Sequence, residues 1–234
     1  DQIVPEEINR KIVDHISDMN LTYSSYAENN LLREGLDRDL IIKVGSPLKE
    51  VYEYYENKID KSIILKKLKL QKENFIIASI HREENVTDKI ILHNILTSIN
   101  KISKQKKLRV IFSTHPRTLS NLNKNIYKYK NIKFFNSFGL LYYVKLLKKT
   151  KLIISDSGSI TEESSILNLR SVNLRSSHER QEGMEKGISI LSGTSQKEII
   201  QSSQIALAKN MIESNLKLDD YHEKNVSDKI VNII

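Results

Sequence analysis

The chain has 234 residues, 39% hydrophobic and 28% charged, with a formal net charge of +8. That mix suits a folded globular chain and excludes disorder throughout, and no run of 18 apolar residues offers a membrane span. There is no cysteine, which removes disulfides, thiolate zinc sites and cysteine nucleophiles together. The length allows one large domain or one and a half. Lys supplies most of the positive charge and lies scattered along helix sides, so a solvated surface is expected and no nucleic-acid partner. No basic–apolar leader is visible, and the cytoplasm is the expected compartment.

The first 40 residues read as a helix over 5–18, a short strand around Leu21–Ser24 and a helix over 25–34 that stops at Gly35. Pro5, Glu6 and Glu7 suit the start of the first helix. From residue 41 the pattern changes. Short apolar runs at Ile41–Val44, Phe75–Ile80, Val110–Ser113, Ile132–Phe135, Leu152–Ser155 and Val172–Leu174 suit strands of a parallel sheet buried on both faces. Amphipathic stretches near 46–57, 87–106, 116–129, 138–149 and 157–168 lie between them, and 195–213 reads as a closing helix. Thr87 is the expected N-cap of one helix, and Pro116 the expected first turn of another. The alternation predicts an α/β domain with a doubly wound parallel sheet over 41–234. Residues 1–40 break that rhythm and begin without Met. They are expected to be the remnant of another domain.

Ligands of open parallel sheets bind beyond the carboxyl ends of the strands. Four polar segments fall there. His81-Arg82-Glu83-Glu84-Asn85 follows the strand ending at Ile80. Its His can carry a proton near neutral pH and its Arg can pair with phosphate, although a charged surface turn has the same composition. His115-Pro116-Arg117 follows Ser113-Thr114 and also reads as a helix start. Ser155-Asp156-Ser157-Gly158-Ser159 opens a helix carrying Glu162 and Glu163. Hydroxyls, a close-approach Gly and free helix N–H groups make an anion cradle, and a glutamate one turn on suits a ribose diol; plain N-capping explains the serines but not Gly158. Ser177-His178-Glu179-Arg180-Gln181-Glu182-Gly183 follows Val172–Leu174 and has the charge density of a solvated loop. Neither the P-loop pattern nor GxGxxG is present. Together the four segments suit a diphosphate-bearing ligand. The histidines lack metal-ligand spacing, so no metal site is expected, and the G-x-S-x-G elbow of a serine hydrolase is absent.

These segments resemble the non-hydrolysing UDP-N-acetylglucosamine 2-epimerase family. The resemblance rests on His81-Arg82-Glu83-Glu84-Asn85, on Ser155 to Ser159 with Glu162-Glu163, and on His178-Glu179-Arg180-Gln181-Glu182-Gly183. Val44-Gly45-Ser46 and Ser137-Phe138-Gly139 agree in place. Val4 to Arg10 and Thr161 to Asn168 look like the branch containing UDP-N-acetyl-L-fucosamine synthase and the UDP-2,3-diacetamido-glucuronate 2-epimerases, used in surface polysaccharide synthesis. The resemblance implies the C-terminal Rossmann-like half of a GT-B fold. It implies inversion at C2 of a UDP-sugar by elimination and re-addition of UDP, without cofactor or metal, in a homodimer. His81 is then the catalytic group at the departing UDP, with Arg82 beside it. Ser157, Gly158 and Ser159 would hold the diphosphate, Glu163 the ribose, Phe138 and Tyr143 the uracil, and Arg180 the phosphate side. His115, Glu84, His178 and Glu179 are further cleft candidates. Ser159 stands where many members have Gly, and Arg170 and Gln181 where proline is common. The resemblance also puts the acid/base carboxylates for C2 in a first domain, so this chain is expected to bind UDP without turning it over. The rivals are the donor half of a GT-B glycosyltransferase and a non-catalytic fragment.

Overall fold

The computed structural model describes residues 5–71, 74–122, 128–175, 180–208 and 217–234. The chain opens with helix α1 (Pro5–Ile16), strand β1 (Asn20–Thr22) and helix α2 (Ser25–Arg33). The Ser24 hydroxyl caps α2 by accepting from the Ala27 N–H, and Gly35 at φ 89° ends it in a left-handed turn. Strand β2 (Ile41–Lys43) pairs with β1 in a separate two-stranded parallel sheet. The run at Ile41–Val44 is therefore a strand, as its composition predicts, but not one of the main sheet. So short a run carries no information about which neighbour it will pair with.

The expected helix over 46–57 breaks at Tyr55 into α3 (Leu48–Tyr54) and α4 (Glu56–Asp60), followed by the short α5 (Ile64–Lys67). Then the doubly wound part begins. Strand β3 (Phe75–Ser79) leads to α6 (Glu83–Thr87) and α7 (Lys89–Lys106), and β4 (Arg109–Thr114) to α8 (Pro116–Asn121). Strand β5 (Ile132–Asn136) leads to α9 (Leu140–Leu147), β6 (Leu152–Ser155) to α10 (Ile160–Leu167), β7 (Ser171–Leu174) to α11 (Gln181–Glu185), and β8 (Ile190–Ser192) to α12 (Gln196–Ala208). All six strands are parallel, in the order β5-β4-β3-β6-β7-β8. Strand β8 has only three residues beside Gly193, too short for a readable pattern.

Two cap expectations resolve differently. Pro116 does open α8. Thr87 instead ends α6, donating its hydroxyl to the Glu83 carbonyl at 2.7 Å. The cap of α7 is Asp88, whose carboxylate accepts from the N–H groups of Ile90 and Ile91. A carboxylate is the stronger acceptor for helix-terminal donors, and it also complements the helix dipole.

The central strands are buried on both faces and divide their residues between them. Ile76, Ala78, Val110, Phe112, Leu152 and Ile154 pack with Ile95, Ile99 and Ile199 of α7 and α12. Phe75, Ile77, Ile111 and Ile153 pack on the other face with Leu146, Leu147 and Ile160. The C-terminal segment returns to the start of the chain through a 3-10 turn (Asp219–Tyr221) and helix α13 (Val226–Ile233). The Asp220 carboxylate accepts from the Ser25 N–H at 3.1 Å and pairs with Lys43 at 2.8 Å, and its carbonyl accepts from the Ser46 N–H. Gly45, at φ 91°, lets this contact form: a Cβ there would stand 2.6 Å from Glu223.

Candidate functional site

The strand order reverses between β3 and β6, where one half of the sheet winds away from the other. Such a switch point leaves a crevice at the carboxyl ends of the two central strands. Their register aligns Ser79 with Ser155. The residues just beyond, His81 on one side and Asp156 to Ser159 on the other, are thereby neighbours although 75 residues apart. The sheet brings together two of the sequence-predicted segments without any loop having to reach.

Asp156 is the centre of the junction. Its side chain is fully buried. It accepts from the His81 N–H at 3.0 and 3.1 Å, from the Arg82 N–H at 2.9 Å and from Asn85 Nδ2 at 3.0 Å. His81 Nδ1 stands 3.2 Å from Asp156 Oδ1. Asn85 also donates to the Leu174 carbonyl at 3.1 Å, tying β7 to the same point. The Ile80 carbonyl accepts from the Thr118 hydroxyl. A buried carboxylate is costly unless its oxygens are met by donors, and here they are.

The His115 ring lies 5.6 Å from that of His81, centroid to centroid. His115 is the N-cap of α8, and its Nδ1 accepts from the Arg117 N–H at 3.2 Å. The Arg117 guanidinium donates to the His81 carbonyl at 3.4 Å. Arg82 pairs with Glu84. Partial burial pushes the Glu84 carboxyl up, but the Arg82 guanidinium, a backbone N–H and the charge of Arg175 outweigh it and hold Glu84 below the ordinary glutamate value.

Across the crevice the cradle hydroxyls bond to one another. Ser157 and Ser159 Oγ are 2.9 Å apart, the Ser159 N–H donates to Ser157 Oγ at 3.3 Å, and Ser159 Oγ donates to Glu163 at 3.1 Å. The Tyr143 hydroxyl reaches the other Glu163 oxygen at 3.4 Å. Burial pushes the Glu163 carboxyl up to about 7, against the opposing pull of these two hydroxyls. Burial and the charge of Glu163 raise the Tyr143 hydroxyl well above its ordinary value. Phe138 is half-buried between β5 and α9, its N–H donating to Ser113 Oγ at 3.4 Å and its ring 5.7 Å from Phe135. Ser157, Ser159, Glu163 and Tyr143 thus form one connected group.

Arg180 belongs to a second group. Its guanidinium lies 3.2 Å from Glu162, donates to the Tyr221 hydroxyl at 3.2 Å, and stacks over the rings of Tyr23 and Tyr221, each at 5.5 Å. Tyr221 in turn donates to Glu182 at 2.6 Å, and Ser46 donates to Glu162. Arg180 therefore links the first segment, α10 and the C-terminal turn. His178 and Glu179 lie outside the described residues. Sequence reasoning assigned no role to Asp156 or Asn85. Their signal was present: an acid directly after one central strand and an amide just past the other. Tyr221 carried none, since nothing local marks a tyrosine some 40 residues from its partners. Among the described residues no group of three or more His, Asp or Glu is placed to hold a metal. A groove of about 690 Å³ lined by Lys49, Glu50, Tyr54 and Asn225 lies between α3 and α13, away from the strand ends.

Comparison with known proteins shows the family. Residues 1–234 match the UDP-N-acetylglucosamine 2-epimerase family. A UDP-N-acetylglucosamine 2-epimerase of Methanococcus maripaludis is 34% identical over 242 residues, covering all of this chain and 65% of that protein. The structure of the Rickettsia bellii UDP-N-acetylglucosamine 2-epimerase is similar over 100% of this chain and 63% of its own, at 41% identity and a TM-score of 0.86. The Methanocaldococcus jannaschii enzyme, solved in complex with UDP-GlcNAc and UDP, is similar over 100% of this chain and 65% of its own, at 32% identity and a TM-score of 0.87. The chain spans roughly three fifths of the length of the curated relatives it matches, 59% and 65% for two of them. Among the described residues no helix is long and apolar enough to cross a membrane. With the family match running over residues 1–234 and a relative 34% identical over the whole chain, this protein belongs to the UDP-N-acetylglucosamine 2-epimerase family.

Proposed function

We propose that the chain forms the UDP-binding half of a UDP-sugar 2-epimerase acting on a UDP-N-acetylhexosamine or a derivative of one. The observation that carries this is the convergence of His81 with the Ser157–Gly158–Ser159 turn and Glu163 across the β3–β6 switch point. The hydroxyls and N–H groups of the turn hold the diphosphate, and Glu163 accepts from the ribose diol. Phe138 and Tyr143 flank the base, and Arg82 faces the phosphate side. In this reading Arg180 acts through Glu162 and so shapes α10 rather than touching phosphate.

The reaction inverts C2. A carboxylate base takes the C2 proton, the C2–H electron pair becomes the C1=C2 bond, and the C1–O pair leaves with the diphosphate. His81 delivers a proton to the departing oxygen. Re-addition with protonation from the other face gives the epimer. Charge develops on the diphosphate as the C1–O bond breaks, which is where oriented N–H and O–H donors lower the barrier most. Residues 1–40 are read as the end of a preceding domain. The pairing of β2 with β1 extends that unit to Lys43. The same reading takes the complete enzyme as a cytoplasmic homodimer making surface polysaccharide precursors.

Titration calorimetry with UDP tests it. Saturable binding is expected. Ser157→Ala with Glu163→Ala should weaken it ~10²-fold or more, since each lost hydrogen bond to a charged group costs about 1.5–3 kcal/mol. Absence of UDP binding by the folded chain sinks the proposal. For the complete enzyme, epimer formed from UDP-GlcNAc without an acceptor separates this reading from a glycosyltransferase.

A further inference from the structure

His81 and His115 stand side by side at adjacent strand ends, yet their Nδ1 atoms meet opposite partners. His81 Nδ1 faces a carboxylate oxygen of Asp156 at 3.2 Å, and a carboxylate only accepts. A bare Nδ1 would turn its lone pair toward that negative charge, so the carboxylate favours the proton on this nitrogen. His115 Nδ1 faces the Arg117 backbone N–H at 3.2 Å, and an amide N–H only donates. That nitrogen must therefore be bare. In a neutral imidazole one nitrogen donates and the other accepts, so each contact also settles the far nitrogen.

We infer that Asp156 is a positioning residue that locks His81 in the Nδ1–H tautomer, while the α8 cap locks His115 in the opposite one. Every proton His81 exchanges then passes through Nε2, on the ring edge turned away from Asp156. His115 presents a fixed Nε2–H donor. Nothing in the established family membership assigns either role.

The placement of Asp156 makes the lock stiff. Its oxygens also hold the His81 and Arg82 N–H groups and Asn85, so the carboxylate cannot swing away without stranding buried donors. The backbone of residues 81 and 82 and the ring of His81 are thus referred to one carboxylate, which belongs to the loop that also carries the cradle. When the C1–O bond breaks, its electron pair goes to the diphosphate oxygen and the Nε2 proton of the His81 imidazolium goes with it. The neutral ring left behind is already the tautomer that Asp156 favours, so no ring flip intervenes before the proton returns on re-addition. The same logic governs imidazoles held by a buried aspartate elsewhere, where an Asn replacement keeps the shape but selects the wrong tautomer.

This inference rests on the proposed function for its catalytic consequence, but not for its geometry. The test is long-range ¹H–¹⁵N NMR of the chain labelled at histidine, at a pH where the rings are neutral, with His81→Gln and His115→Gln used to assign the signals. Wild-type His81 should show Nδ1–H and His115 Nε2–H. If His81 shows Nε2–H, the ordinary preference of a solvated imidazole, the inference is wrong, and no variant is needed to learn that. Asp156→Asn should convert His81 to Nε2–H, leave His115 unchanged and leave UDP affinity within a few-fold. An Asp156→Asn chain that folds, binds UDP and keeps His81 as Nδ1–H overturns the positioning role. In the complete enzyme Asp156→Asn should lower kcat by 10²-fold or more with little change in KM, an effect comparable to tautomer loss in other aspartate–histidine pairs. Correct tautomers with no epimerase activity would count against the proposed function alone.

Discussion

The β3–β6 seam and helix α1 are both patterned by apolar residues, and they meet opposite fates. Along β3, Ile76, Ile77 and Ala78 are each 0% exposed. Along α1, Ile8, Ile12 and Ile16 are 54%, 55% and 77% exposed. The charged residues of α1 do the holding instead. Arg10 pairs with Glu7 at 2.7 Å, with Asp14, and with Glu34 beyond α2 at 2.6 Å. The helix is attached by its polar side and shows its apolar side to solvent. Periodicity states that a face needs cover. It does not state which part of a protein supplies it. The sheet finds its cover within these residues, from helices on both sides. The apolar face of α1 finds none among the described residues.

The largest test of that contrast removes one side chain from each region. Phe112 is fully buried in the sheet core against Phe134, with ring centroids 5.0 Å apart. Phe112→Ala should cost about 3–5 kcal/mol in urea denaturation, the usual range for emptying an aromatic site. Ile12→Ala should stay within roughly 0.5 kcal/mol. Equal losses would mean that the α1 face is buried in solution.

The same contrast explains what was legible in the sequence. Five of the six strands of the main sheet announce themselves by short apolar runs, unbroken in β3 where both faces are covered and interrupted by Lys133 in the edge strand β5. Strand β8 escaped because three residues leave too little pattern. Strand β2 is legible as a strand, but its partner β1 is not, since pairing is a tertiary choice. At the site, His81, Ser157 and Glu163 were visible as polar residues just past strand ends. Their grouping follows from strand order, which no local pattern contains. Asp156 was in plain view within Ser155-Asp156-Ser157. Its partnership with the His81 and Arg82 N–H groups depends on the Ser79–Ser155 register, a fact of the folded sheet. The phosphate-side role of Arg180 comes from the family resemblance, and its stacking on Tyr23 and Tyr221 is not legible locally because those rings come from remote segments.

A second test uses the buried acid of the seam. Burial raises the Glu163 carboxyl from 4.5 to about 7 in the folded chain. The folded state therefore holds this proton more tightly than the unfolded state. The associated stability is fully present below about pH 4.5 and is lost as pH rises through about 7. The loss is at most on the order of 3 kcal/mol, at about 1.4 kcal/mol per unit. Glu163→Gln should flatten that part of the pH–stability curve, measured as urea midpoints from pH 5 to 8. A wild-type curve that rises steadily across this interval, with Glu163→Gln parallel to it, would mean that Glu163 is ionised when folded.

The smallest effect is the most informative about α1. Within a helix attached by its charges, the polar residue should matter more than the apolar one. Arg10→Ala removes three partners at once, but the side chain is 35% exposed and solvent screens it. A partly exposed network of this kind is worth about 1 kcal/mol or less. The effect should appear locally before it appears globally, because a helix held by few contacts opens without the sheet opening. Amide exchange should therefore quicken across Pro5–Ile16 in Arg10→Ala while the protection of β3 and β6 is unchanged. Ile12→Ala should leave α1 exchange nearly as it is, since the side chain gives up little buried area. The reverse ranking, with Ile12→Ala loosening the helix more than Arg10→Ala, would mean that the apolar face is covered in solution. A dependence of that protection on protein concentration would identify the cover as a second copy of the chain.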